Sequence, residues 1–381
     1  MDPLLEWARK NQPSLIRFIG ELVECESPTD SPAGVNRCVQ LLSDSLSDIA
    51  DCRIIPNGDA TGSTFVCEFR LPGAEKQGRI LALGHADTVW PIGTLRTMPF
   101  REDDKRLWGP GVLDMKTGLA MFVFAMRALR ELKIPVGHEV VLLVNPDEET
   151  GSGTSRETTF LLAASCRAVL VLEPGTGLAG HAKTARKGIG SYRVAVRGVS
   201  SHSGVDFEKG ASAVVELARQ IGKIARFTNL KRGVTVNPGV ISGGTRSNVI
   251  ADHAETHVDI RVPLARDAAA LEKKFRALKP FDKRCSLTVT GGLNRPPMER
   301  GKRSAELFRL ARGLAAELGV KLEESSTGGG SDGNFTAALG VPTLDGIGAV
   351  GEGAHAAHES VLVDRLADRV ALLAKLVAGI R

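Results

Sequence analysis

The chain is poor in aromatic side chains: one tyrosine, three tryptophans and 13 phenylalanines make up 4% of 381 residues. Base-stacking platforms need such rings among basic residues, so a nucleic-acid partner is excluded. Positive charge is also undirected. The net charge of +5 would suit an acidic substrate, but Lys and Arg are interleaved with Asp and Glu, and the densest run, 271–284, reads as one solvated helix face. Cysteine is sparse and lacks any Cys-x-x-Cys spacing; Cys25, Cys38, Cys52, Cys67, Cys166 and Cys285 read as small, mostly buried thiols, kept reduced in the cytoplasm. No apolar run approaches the ~18–20 residues of a membrane span. The first 25 residues carry Asp2, Glu6 and Arg9 where a signal peptide needs a basic start and an unbroken apolar stretch. They read as an amphipathic helix, and a cytoplasmic protein without a membrane partner is expected.

What is present is alternation. Short Val/Ile/Leu runs at 79–84, 139–145, 160–165 and 168–173, with a helical pattern over 114–133, predict βαβ units and a mostly parallel sheet covered on both faces. Between about 187 and 295 the order becomes β-α-β-β-α-β, the split βαβ or ferredoxin-like arrangement. After Arg295-Pro296-Pro297 the α/β character returns, with a helix over 304–319, the glycine-rich stretch "STGGGSDGNF" and a terminal helix from about 361. The length calls for two domains. The architecture is an α/β domain interrupted by a smaller α+β insertion.

"LALGHADTVW" sets His85 and Asp87 where the 79–84 strand stops. Asp147, Glu148 and Glu149 follow the 139–145 strand, and Glu173 ends the 168–173 strand. In open α/β sheets the functional crevice lies outside the carboxyl ends of the strands, so three strands aim carboxylates or imidazole at one rim. Asp114, in a glycine-flanked loop that opens a helix, and His355 and His358 near the end add to the set. Singly, each has a plain structural reading: a turn, an N-cap, a solvated loop, and for His358 and Glu359 an exposed pair. Together they form the ligand set of zinc or a similar divalent metal, whose charge would relieve the repulsion among clustered carboxylates. "GTGLAG" at 175–180 matches a dinucleotide fingerprint in letters only, since no helical period follows it. "TGGGSDG" lacks the Gly-Lys-Ser/Thr of a phosphate loop.

The segments "GHADTV", "GPGVLDMKTG", "PDEETGS", "LEP" and "GAHAAHE", in this order, resemble the co-catalytic zinc metallopeptidases that include glutamate carboxypeptidase, acetylornithine deacetylase, succinyl-diaminopimelate desuccinylase and aminoacylase. "SSHSG", "SNVIA", "DIRV", "NRPP" and "TGGGSDG" strengthen the likeness to the glutamate carboxypeptidases. The resemblance implies a zinc-exopeptidase-like catalytic domain over 1–186 and 296–381, with a ferredoxin-like dimerisation or lid domain over 187–295. It implies two Zn2+ ions, with Co2+ or Mn2+ as alternatives. Asp114 would bridge them, His85 and Glu173 completing one site and Glu149 and His355 the other; the family's ligand spacing favours His355 over His358. Glu148 would be the general base, Asp87 the residue that orients His85, and His202 an oxyanion donor reaching the opposite subunit of a homodimer. Arg295, Asn248, Arg261 and the backbone of Thr327, Gly329 and Gly330 match positions that hold substrate carboxylates. One departure stands out: His181 and Lys183 occupy positions that are lysine and serine in those enzymes, so the pocket for a glutamate side chain differs.

The expected function is metal-dependent hydrolysis of the amide bond of a C-terminal amino acid such as glutamate, in a small peptide or N-acyl amino acid bearing a free carboxylate. The alternative is an N-acyl-amino-acid deacylase of the acetylornithine or desuccinylase type, which uses the same centre.

Overall fold

Three near-continuous apolar segments, Arg79–His85, Glu139–Asn145 and Cys166–Val171, form the middle of a six-stranded sheet. Successive strand residues point to opposite faces, and here both faces are covered. Ile80, Ala82, Leu142 and Leu170 join the core beneath the helices Pro3–Glu24, Thr117–Glu131 and Leu366–Gly379. Leu81, Leu83, Leu143 and Val169 join a second cluster with Ala163 and Val341. Burial on both sides explains why these runs are continuous rather than alternating. Each fully buried Leu or Val contributes about 1.5–3 kcal/mol of transfer free energy.

The sheet order is Ala50–Ile55, Thr64–Phe69, Glu139–Asn145, Arg79–His85, Cys166–Val171, Thr343–Leu344. The first two pairings are antiparallel and the other three parallel, as expected of a mostly parallel sheet. A separate four-stranded sheet joins Gly351–Glu352, Ser360–Leu362, Arg106–Trp108 and Arg101–Asp103. It holds the turn that carries His355.

In this computed structural model, which describes residues 2–381, the chain forms two compact units. The first takes the chain up to Ala185, with Arg300–Thr327 and Ser331–Arg381; the second takes Arg186–Glu299 and Gly328–Gly330. The second unit is a four-stranded antiparallel sheet in the order Thr235–Gly243, His253–Val262, Gly188–Arg197, Ser286–Arg295. The helices Ala213–Ala225 and Ala265–Arg276 complete the ferredoxin-like order. Its core is built from Val194, Val196, Leu217, Val258, Leu271 and Phe275, with Tyr192 stacked on Phe275 at 3.8 Å between ring centroids. Among the described residues no helix is long and apolar enough to cross a membrane.

Two elements differ from the sequence expectation. Residues 160–165 are not a strand: Arg156–Ala163 is a helix. Its fully buried residues are the small Thr159 and Ala163, with Ser155 just before it, while Leu161 is 72% exposed and Phe160 and Leu162 are half-buried, so the apolar letters do not track the inward face. The terminal helix begins at Leu366, after the strand Ser360–Leu362. The β-branched Val361 there pairs with Leu107 instead of starting a helix.

Candidate metal centre

Strand register brings the first candidate ligands together. Leu83 lies opposite Val171 in the parallel pair, so His85 and Glu173, each two residues further on, emerge at one level. On the other side His85 pairs with Asn145, and the loop that follows delivers Asp147, Glu148 and Glu149. The shared direction of parallel strands is what gathers these side chains at one rim.

Asp114 arrives by a different route. Gly111 has φ +71, a left-handed conformation, and a Cβ there would lie 2.6 Å from Thr88 Cγ2, so only glycine turns the chain here. The turn Val112–Lys116 follows and leads into the helix Thr117–Glu131; the Asp114–Met115 peptide is cis. Gly118 seats the helix start against the strand end that carries Glu173, since a Cβ would stand 2.1 Å from Leu172 O. His355 sits at φ +62, left-handed for a non-glycine residue. Such a backbone costs on the order of 1–3 kcal/mol and persists where the surroundings hold it.

The resulting geometry is tight. Asp114 Oδ1 lies 3.2 Å from His85 Nε2, and its Oδ2 lies 3.3 Å from His355 Nε2. Glu173 Oε1 is 3.6 Å from His85 Nε2, and Glu149 Oε2 is 3.3 Å from His355 Nε2. Donor atoms of His85, Glu148 and Glu173 fall within 4.8 Å of one another, as do those of His85, Asp114 and Glu149. Asp87 is fully buried. Its Oδ1 accepts from Glu148 N, and its Oδ2 from Glu149 N and Thr29 Oγ1. His85 Nδ1 meets both the carbonyl of Asp87 at 2.9 Å and its carboxylate at 3.3 Å.

The residues fit a divalent metal. Glu149 Oε1 is buried and has no hydrogen-bond partner among the described residues, an expensive arrangement unless a cation faces it. Burial tends to raise the Asp114 carboxyl, but hydrogen bonds from His355 and His85 outweigh it and hold the group well below the carboxylate range. Burial tends to lower His85, yet its bonds to Asp114, Asp87 and Glu173 carry it well above the imidazole range. Hydrogen bonds to Asp114 and Glu149 push His355 up to about 10.

A pH dependence follows. Both histidines bind protons more tightly folded than unfolded, so in chelator-treated protein their stabilisation is complete below about pH 6.5. For His355 it is lost as pH rises toward about 10, and for His85 it is lost only well above the ordinary imidazole range. The Tm of chelator-treated protein should therefore fall through that window, while metal-loaded protein, whose ligands have already released their protons, should not follow. Calorimetry showing a flat Tm for the chelated form would remove this account of the two histidines.

His358 is exposed. In the second unit, His202 is exposed and its Nδ1 accepts from the backbone N–H of Gly204 and Val205 at 3.1 and 3.2 Å. Those bonds place the ring proton on Nε2. Arg295 is 5% exposed and packs under Gly330, whose Cβ would lie 3.0 Å from Arg295 Cδ. Asn248 is exposed, and its carbonyl accepts from Ser203 N. Arg261 is engaged bidentately by Asp259 at 2.9 and 3.0 Å, so its guanidinium already has a carboxylate. The carbonyls of Gly329 and Gly330 accept from Arg186, a buried arginine with no sequence signal. In the first unit, Thr327 ends the strand Glu324–Thr327, and Lys183 is buried with its backbone paired to Asp345.

Sequence reasoning also passed over Glu359. It is fully buried, not half of an exposed pair; the one available signal was a carboxylate directly before the apolar run "SVLV". Asp332 was missed as well. It accepts from Asn145 Nδ2 at 2.6 Å and from Ser152 Oγ, tying the glycine-rich stretch to the loop that carries Glu148 and Glu149.

A model of the peptidase family M20/M25/M40 matches residues 81–379. Carboxypeptidase G2 from a Pseudomonas species is 27% identical over 382 residues, covering 98% of this chain and 91% of that protein. A succinyl-diaminopimelate desuccinylase from Cupriavidus pinatubonensis is 30% identical over 284 residues, covering 69% and 72% respectively. The crystal structure of aminopeptidase PepT from Bacillus cereus has the same fold, with a TM-score of 0.80, 23% identity, and coverage of 97% of this chain and 99% of that one.

Proposed function

The chain belongs to peptidase family M20/M25/M40, a hydrolase family, and from that premise we propose a two-metal enzyme that cleaves the amide bond of a C-terminal amino acid, glutamate foremost. The observation that carries this reading is the single carboxylate of Asp114 presenting one oxygen to His85 and the other to His355. That arrangement supports a bridging ligand. His85 and Glu173 would complete one site, Glu149 and His355 the other, and zinc suits the donor set.

Two bound divalent ions supply an acidified water and polarise the scissile carbonyl. The chain's own residues do the rest. Glu148, partly exposed beside the cluster, takes a proton from the attacking water and passes it to the leaving nitrogen. The C–N bond breaks, giving a carboxylate and a free amine. Asp87 holds both His85 and the backbone of Glu148 and Glu149, so base and ligands share one anchor. His202, with its proton on Nε2, is suited to donate to the developing oxyanion, a contribution of about 3 kcal/mol for such donors. Arg295 is proposed to grip the substrate's free carboxylate.

A homodimer is proposed with this mechanism. Thr235–Gly243 is an edge strand of the second unit whose Val240 and Ile241 are each 60% exposed, a combination that invites pairing. The family resemblance supports a His202 that acts at the partner's site. Glu148→Gln and His202→Ala homodimers should both be nearly inactive, whereas a co-expressed heterodimer should regain up to about half of wild-type turnover, since one site is then complete. No recovery would refute action across the interface, and wild-type kinetics for His202→Ala would end its role.

The function is tested by release of amino acids from a substrate panel, with zinc-loaded and chelated enzyme. C-terminal glutamate peptides and N-acylglutamates should be hydrolysed only with metal. The desuccinylase relative favours a second reading: turnover confined to N-succinyl or N-acetyl substrates would make the enzyme a deacylase with the same centre.

A further inference from the structure

We propose that Glu359 is a positioning residue for the metal centre: its carboxylate gathers the N–H groups of Gly111, Leu113 and Asp114 with the indole N–H of Trp90, and so fixes the Asp114 side chain between His85 and His355. This rests on the two-metal reading above.

The geometry is specific to a carboxylate. Oε1 accepts from Leu113 N at 2.8 Å and Asp114 N at 3.0 Å. Oε2 accepts from Trp90 Nε1 at 2.7 Å and Gly111 N at 3.0 Å. Four donors converge on two oxygens with no acceptor among them, so the ionised form is the one that satisfies every partner. Glutamine would have to turn its NH2 toward one pair of donors, leaving buried N–H groups unmet. No lysine or arginine among the described residues pairs with Glu359. Burial raises its carboxyl above the ordinary carboxylate value even though the four donors pull it down, and a divalent cation nearby would favour its charge.

The consequence concerns Asp114. Gly111 precedes the turn Val112–Lys116 and Asp114 lies within it, and the backbone N–H of Asp114 itself is held by Glu359. A bridging carboxylate must present both oxygens in fixed directions. Without that anchor the turn is free to rotate the carboxylate off one of the histidines. Groups that orient a metal ligand in this way change metal affinity or activity by about 10- to 100-fold when replaced.

The test uses full-length protein, chelator-treated and titrated with CoCl2, with visible absorption as the reporter. Wild type should take up two Co2+; fewer would refute the two-metal reading and, with it, a role for Glu359 in positioning such a centre. With wild type at two, Glu359→Gln should bind Co2+ about 10- to 100-fold more weakly and show an altered absorption band. Its kcat should fall while KM stays within about twofold of wild type, because substrate contacts are untouched. Trp90→Phe, which removes one donor and leaves three, should shift affinity in the same direction by less. A wild-type titration and band for Glu359→Gln, even with a lowered Tm, would overturn the proposal. If that variant does not fold, a wild-type band and affinity for Trp90→Phe would overturn it.

Discussion

Glu148→Gln is expected to lower kcat by about 10³- to 10⁴-fold while two metal ions per chain are retained, at the upper end of what general acid–base groups contribute. Glutamine keeps the shape and the backbone bond from residue 148 to Asp87 Oδ1, so the loop and the neighbouring ligand Glu149 stay in place. What it lacks is a site for the water's proton. Glu148 lies close to His85 and Glu173, so a rival assignment makes it a ligand. Metal analysis separates the two: loss of an ion with the substitution would make Glu148 a ligand, and an active variant would take it out of the mechanism altogether.

Asp114→Ala should lose both ions and all measurable turnover. The reason is geometric, since both oxygens of this carboxylate are directed at different histidines and each ion would depend on one of them. A side chain serving only one site would leave the other occupied. Metal content after desalting is the decisive measurement: two ions per chain would contradict the bridge, and one would reduce Asp114 to an ordinary ligand. The fold itself should tolerate the change, because the anchoring bond to Glu359 is made by the backbone N–H of residue 114.

The strands and the polar residues at their carboxyl ends were legible because one physical rule governs both. A strand buried on both faces is a continuous apolar run, and its carboxyl end is where polar chemistry resumes; His85 and Glu173 are readable for that reason. Arg156–Ala163 was misread because its fully buried residues are small while Leu161 faces outward and Phe160 and Leu162 are only half-buried, so hydrophobicity and burial disagree. The hairpin of Ala50–Ile55 and Thr64–Phe69 went unread too, since its outer strand is mostly exposed and mixed in character. Glu359 was hidden for a different reason: its partners are backbone N–H groups, which leave no letter in a sequence.

The anchor between Trp90 and Glu359 spans 269 positions of chain, and His355 lies four residues before its far end. During synthesis His85, Asp114, Glu149 and Glu173 all emerge before the segment that completes them. Closing a loop of that length carries an entropic penalty, which grows only logarithmically with length but must be met before the contact forms. On the two-metal reading proposed above, the rim could not hold a pair of cations in register until the last part of the polypeptide is in place, so full metal occupancy would report completed assembly.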